Sequence, residues 1–207
     1  MEGQAFWQVI GAYNDATRWA FIAFPALMVA ALVLSYTTKL RFAVKLTLGL
    51  FHLFIGVVFF GMFGTEPIQK YFALPLFIAC GLLFLYEARA NHTDKPQKPN
   101  QFQSILLCLY ALYPAFSYVL GHRFPQLVTY SMPCPVACLG LSIYALYPKK
   151  NKVLLVLLTI WGLTGVKAIF FNAYEDVILL VCGIYGVFLL TKELQVRKKP
   201  MHGASNS

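Results

Sequence analysis

Charge is what this 207-residue chain has least of. Charged residues make up 12% of it against 59% hydrophobic ones, too few to coat a water-soluble domain. Acids are scarcer than bases, 8 against 17, which leaves a formal charge of +9. Those bases form no single patch but are divided among four short segments, which argues against a nucleic-acid surface. There is no serine nucleophile elbow, no H-E-x-x-H, no pair of carboxylates within an apolar run and no phosphate loop. The reading therefore leans away from an enzyme, and no cofactor is readable. The N-terminal stretch lacks the basic start and small-residue cleavage site of a secretory signal, so the first apolar run is expected to direct insertion. Five cysteines make no disulfide framework. Cys80, Cys108 and Cys182 fall within apolar runs and are expected to pack as small hydrophobes.

What the chain has in abundance is long apolar runs, consistent with its mean hydropathy of +0.64. Seven approach the length that crosses a hydrocarbon core of about 30 Å: Trp19–Tyr36, Phe42–Phe63, Tyr71–Glu87, Phe102–Leu120, Thr129–Tyr147, Val153–Phe171 and Tyr174–Thr191. Continuous apolarity at this length suits helices rather than the alternating strands of a barrel. The expected fold is all-α, a polytopic membrane protein with seven transmembrane helices. Of the 17 basic residues, 13 follow the first, third, fifth and seventh runs, which places the N-terminus outside and the C-terminus in the cytoplasm. Residues 1–18 read as an outer interfacial segment, with Phe6, Ile10 and Tyr13 at helical spacing. Residues 19–191 form the seven-helix domain, and 192–207 a basic, disordered cytoplasmic tail. A shared spacing of Gly56 to Glu66 and Gly165 to Glu175 hints at two three-helix repeats joined by a linker helix, a 3+1+3 arrangement.

Polar chemistry concentrates between Gly121 and Cys138, G-H-R-F-P-Q-L-V-T-Y-S-M-P-C-P-V-A-C. Pro135 suits the first turn of a helix, which puts Cys134 at or just before its start. There the free N–H groups, with His122 and Arg123 nearby, would favour a thiolate. The bland alternative is a rigid Pro-Cys-Pro turn. Upstream, Tyr110, Pro114, Ser117 and Gly121 recur along one helical face that suits protein or water better than lipid. His52 shares a face with Gly49 and Gly56 that would pack against another helix. An intramembrane histidine is either a functional group or a neutral residue bonded to a neighbouring helix. Lys167 either snorkels outward or pairs with Glu66, Glu175 or Asp176. Pro25, Pro75 and Pro114 are expected to kink the first, third and fourth helices. Asn14 and Asp15 are expected to cap the first span.

At Gly121-His-Arg-Phe-Pro125, followed by Ser131-Met-Pro-Cys-Pro135, the chain resembles a family of bacterial multi-pass membrane proteins known as a domain of unknown function. The resemblance extends to Ala12-Tyr-Asn-Asp-Ala-Thr-Arg-Trp19 and to the Glu175-Asp176 turn, and so covers nearly the whole chain. The family carries a Trp-Pro pair near the start of the first helix; here Ala20 follows Trp19 and Pro25 comes later. The resemblance implies a bacterial cytoplasmic membrane protein and no particular activity.

The residues support three readings. The first is transport or binding of a small, anionic solute at an outward pocket built from His122, Arg123, Lys167, Glu66, Glu175 and Asp176, with His52 continuing inward. The second is a metal or thiol site using Cys134, Cys138 and His122, or a Cys134 nucleophile with His122 as base. The third is an accessory protein without small-molecule chemistry. The bilayer is the one partner common to all, and the glycine faces would also permit oligomerisation.

Overall fold

The computed structural model describes residues 2–168 and 173–196. The expected disordered tail is described only to Val196; its remainder lies outside the described residues. Within them every regular element is helical and no strand occurs.

Nine helices follow in order among the described residues. They are α1 (Glu2–Ala16), α2 (Arg18–Thr37), α3 (Ala43–Phe54), α4 (Leu74–Ala90), α5 (Gln101–Ala111), α6 (Tyr113–Val119), α7 (Pro133–Tyr144), α8 (Lys152–Leu163) and α9 (Val177–Val196). Wider π-helical turns extend α3 over Ile55–Phe63 and lead into α4 over Gln69–Ala73, while tighter 3₁₀ turns follow α8 and precede α9.

The prolines act where their missing N–H decides. Pro25 lies inside α2. Pro75 stands where the turns of Gln69–Ala73 run on into α4 as one continuous stretch, and Pro114 stands in the first turn of α6, where the expected kink falls. The fourth apolar run breaks at Leu112 and the two pieces meet at a bend of 53°.

Four helical stretches are long and apolar enough to cross a membrane: Arg18–Thr37, Ala43–Phe63, Gln69–Ala90 and Tyr174–Gln195. The bent pair α5 and α6 would be a fifth. Their outward faces carry bare apolar side chains, such as Ile22 at 71%, Met62 at 72% and Val119 at 81% exposure. In water such a surface would drive association; in a bilayer it is the solvated face.

Helix α7 is short, twelve residues, and apolar around its whole circumference. A helix of that kind must be enclosed by protein, and α7 is. It packs against α3, α5, α8 and α9, and of its residues only Cys134 escapes full burial. Around it α2, α3 and α4 form one packed group, and α8 lies along α9. The closest of these contacts is at Gly162 and Gly183, where a Cβ on either glycine would collide with the other's backbone. Small residues of this kind let helices approach where apolar burial alone gives no preference over lipid.

The apolar face of α1 is covered by protein. Ile10, Tyr13 and Asn14 are buried, and Tyr13 packs edge-on against Phe59 and Phe63. Asn14 does not cap α2, whose preceding residue is Thr17. Its amide instead donates to the carbonyls of Pro125 and Leu127 at 2.6 and 2.8 Å.

Candidate functional site

The end of α6 fixes the Gly121–Met132 loop. Gly121 adopts φ 101°, the left-handed conformation that glycine enters without a Cβ clash. The His122 N–H then reaches back to the Ser117 carbonyl and the Gly121 N–H to Tyr118, the paired bonds of a Schellman cap. Arg123 completes this turn. Its guanidinium stacks on the Tyr118 ring at 3.8 Å and donates to the Tyr118 carbonyl at 2.7 Å. The loop is then tied to α1, because Thr129 donates to Asn14 Oδ1 and the Tyr13 hydroxyl donates to the Ser131 carbonyl. Burial pushes the Tyr13 phenol up to about 12, so that hydroxyl keeps its proton across the neutral range.

Glu175 and Asp176, adjacent in one turn, take different partners. Glu175 is buried; its Oε1 accepts from Ser117 Oγ at 2.9 Å and lies 4.0 Å from His122 Nε2. Ser117 Oγ also accepts from the Val128 N–H at 3.0 Å, so one hydroxyl joins α6, the loop and the start of α9. His122 is stacked on Trp7 with ring centres 3.8 Å apart. Asp176 accepts instead from Tyr113 Oη at 2.7 Å and from Cys134 Sγ at 3.3 Å.

Helix α7 begins at Pro133, with Met132 before it. Cys134 is thus its second residue, and its sulfur meets a carboxylate. The cations expected beside it, His122 and Arg123, are turned to Glu175 and Tyr118.

A cavity of about 300 Å³ opens on the other side of Asp176. Cys134, Asp176, Trp161, Lys167, Glu66 and Gln69 supply its polar lining, among apolar side chains that include Phe6, Phe60 and Met132. Trp161 Nε1 is buried there without an oxygen or nitrogen acceptor and approaches only the soft sulfur of Cys134. The structure therefore gathers Glu66, Cys134, Lys167 and Asp176 around one space. It keeps His122 and Glu175 behind them and Arg123 at the surface.

One family model matches residues 3–199. The chain belongs to DUF6064, a family of unknown function. No curated protein and no solved structure matches it. For this member of DUF6064, then, chemistry must be argued from the side chains themselves.

Cys138 does not join Cys134 and His122. It meets Cys182 of α9, with Sγ atoms 2.8 Å apart, and among the described residues no group of three His, Cys, Asp or Glu is placed to hold a metal ion. Cys182 thus has a closer partner than an apolar packing role implies, and Cys108 is exposed. His52 lies deep in the bundle at 1% exposure. Its Nδ1 is 2.8 Å from the Leu48 carbonyl and its ring lies between Phe77 and Phe84. The space it fills is left by Gly140 of α7, where a Cβ would stand 2.8 Å from the imidazole.

Two features escaped the sequence reading. Trp161 is one aromatic within an apolar run, and only its neighbours in space reveal a buried donor with no oxygen or nitrogen acceptor. Lys45 and Glu87 form a buried ion pair at 3.3 Å, with Lys45 Nζ also over the Tyr147 ring. Their 42-residue separation leaves no local signal of the pairing.

Proposed function

We propose that this protein crosses a bacterial cytoplasmic membrane seven times, N-terminus outside, and binds a small solute in the cavity beside Cys134, Asp176 and Trp161. The distribution of basic residues supports that orientation, and the enclosure of α7 by protein accounts for a span shorter than the bilayer is thick. The single observation that carries the binding site is Trp161 Nε1, a buried donor without an oxygen or nitrogen acceptor, which has only the weakly accepting sulfur of Cys134 beside it. Leaving a donor so costs about 1–3 kcal/mol, which a ligand oxygen would recover. The solute accordingly has an apolar body and an acceptor oxygen. Of the three cations expected to hold an anion, only Lys167 lines the cavity, and Glu66 and Asp176 share its wall. A neutral or singly charged acceptor head therefore fits better than a highly charged anion. His52, Phe77 and Phe84 are buried together beneath, which favours binding from one side over an open path.

The test uses protein in lipid nanodiscs with Trp7 and Trp19 changed to Phe, so that Trp161 is the one tryptophan left of three and is excited apart from tyrosine at about 295 nm. Hexanoate, hexanamide and hexylamine share one apolar body and differ in the head group. Hexanoate or hexanamide should give a saturable change in Trp161 emission, and hexylamine none. A response that never saturates and is equal for all three is partitioning into lipid and rejects the site.

A further inference from the structure

Cys138 and Cys182 lie 44 residues apart in sequence on two helices that pack together, and both thiols are wholly buried. Their Sγ separation of 2.8 Å is inside van der Waals contact for two sulfur atoms. The other polar group near Cys182 is Ser142 Oγ at 3.9 Å. Cys134 stands four residues before Cys138 on α7, about 6 Å along the axis, and faces the cavity. Three thiols thus run inward from an open space: Cys134 at the wall, Cys138 a turn deeper and Cys182 against it. Asp176 Oδ2, which accepts from Cys134 Sγ at 3.3 Å, stands where a proton leaving that sulfur would go.

We propose that Cys138 and Cys182 are a reversible dithiol–disulfide pair, loaded through Cys134 by exchange with a small organic disulfide that enters the cavity. Cys134 gives its proton to Asp176 and attacks one sulfur of R–S–S–R. The first thiolate leaves and takes a proton. Cys138 attacks the Cys134 sulfur of the mixed disulfide and expels the second thiolate. Cys182 then attacks the Cys138 sulfur and returns Cys134 to the free thiol. In sum two protein thiols lose two electrons and two protons, and R–S–S–R becomes two R–SH. Each step is an attack of a thiolate on a disulfide sulfur. The Cα atoms of i, i+4 helical cysteines are within the reach of a disulfide, up to about 6.8 Å. Their Cβ atoms, about 5–6 Å apart, must close to about 4.5 Å, so the transient Cys134–Cys138 bond requires the first turn of α7 to shift. The exchange needs no solute bound through Trp161.

The experiment treats the reduced full-length protein in nanodiscs with hydroxyethyl disulfide, then quenches, denatures and labels it with a maleimide. Wild type should lose two of its five labelled cysteines, recover them on reduction, and yield a linked Cys138–Cys182 peptide by mass spectrometry. Cys138→Ala and Cys182→Ala should form no such bridge, and Cys134→Ser should form it slower by on the order of tenfold. Five labelled cysteines in treated wild type, or a mixed disulfide confined to Cys134, overturns the pair. Bridge formation at an unchanged rate in Cys134→Ser overturns the relay. The peptide map is read on wild type, so it stands even if a variant does not fold. The bridge is read with no solute added, and the solute titration is repeated on Cys138→Ala, which cannot bridge, so the two proposals fail separately.

Discussion

The ammonium of Lys45 lies 3.3 Å from the carboxylate of Glu87, with side-chain exposures of 0% and 5%. Asn91 Nδ2 donates to the same Glu87 oxygen at 2.9 Å, and the Tyr147 ring covers the ammonium at 4.5 Å. The pair bolts the start of α3 to the end of α4. It also places two full charges where neither has water, so each depends on the other.

Removing one partner should therefore cost more than removing both. Glu87→Ala or Lys45→Ala is expected to destabilise the protein by about 3–5 kcal/mol, whereas Lys45→Met combined with Glu87→Leu should be near neutral. Unfolding by sodium dodecyl sulfate in bicelles measures the difference. Equal losses in the single and double variants would show that the pair contributes packing only.

Ser117 is expected to hold the Glu175 end in the same way. Ser117→Ala leaves Glu175 Oε1 without its hydroxyl donor and the Val128 N–H without its acceptor. A loss of about 1–3 kcal/mol should follow for each buried group left unpaired. Hydrogen exchange of the Val128 amide, slow in wild type, should rise with it; unchanged exchange would show the bond to be dispensable.

The α8–α9 contact admits no side chain at its crossing. Gly183→Leu, which places four carbons against the Gly162 backbone, should cost at least the 1–3 kcal/mol or so typical of overpacking, and Gly183→Ala less. If Gly183→Leu unfolds at the wild-type detergent concentration, the helices do not meet where the structure brings them together.

The anchoring of α1 should fail in alkali. The Tyr13 phenol is raised above its ordinary value of 10.0 to about 12 by burial. Its contribution to folding is therefore fully present below pH 10 and declines as pH rises towards about 12, because the unfolded chain gives up the proton first. Other buried tyrosines titrate in alkali too, so the measurement is the difference between wild type and Tyr13→Phe. Trp7 emission, reporting on α1 and its stack with His122, should lose its added sensitivity over this range in the variant.

The local chemistry of the site was legible from the residues one at a time. Pro135 announced a helix start, which falls two residues earlier at Pro133, whereas Gly121, read on one helical face with Ser117, lies just past the end of α6. Tyr113 and Ser117 sit on or beside a polar stripe, and both reach the acids that the sequence marked at 175 and 176. The reach of each charge was not legible. Arg123 looked like a ligand for an anion, but a guanidinium five residues beyond Tyr118 closes its own turn more readily than it spans to a cavity. His122 looked like a partner for Cys134, but the ring that stacks on it comes from α1, more than a hundred residues earlier.

What the sequence determined by itself is helicity and the apolar runs long enough to cross a membrane. Those follow from side-chain period and apolar run length, which are local to each stretch of chain. Only the tertiary structure decided that α7 lies at the centre, that Cys138 meets Cys182, that Lys45 meets Glu87, and that the Trp161 donor is buried without an oxygen or nitrogen acceptor. Each is a pairing between groups far apart in the chain. In an apolar sequence almost any helix face can pack on another, so which faces meet is settled by close glycine contacts and a few buried polar partners, all at once.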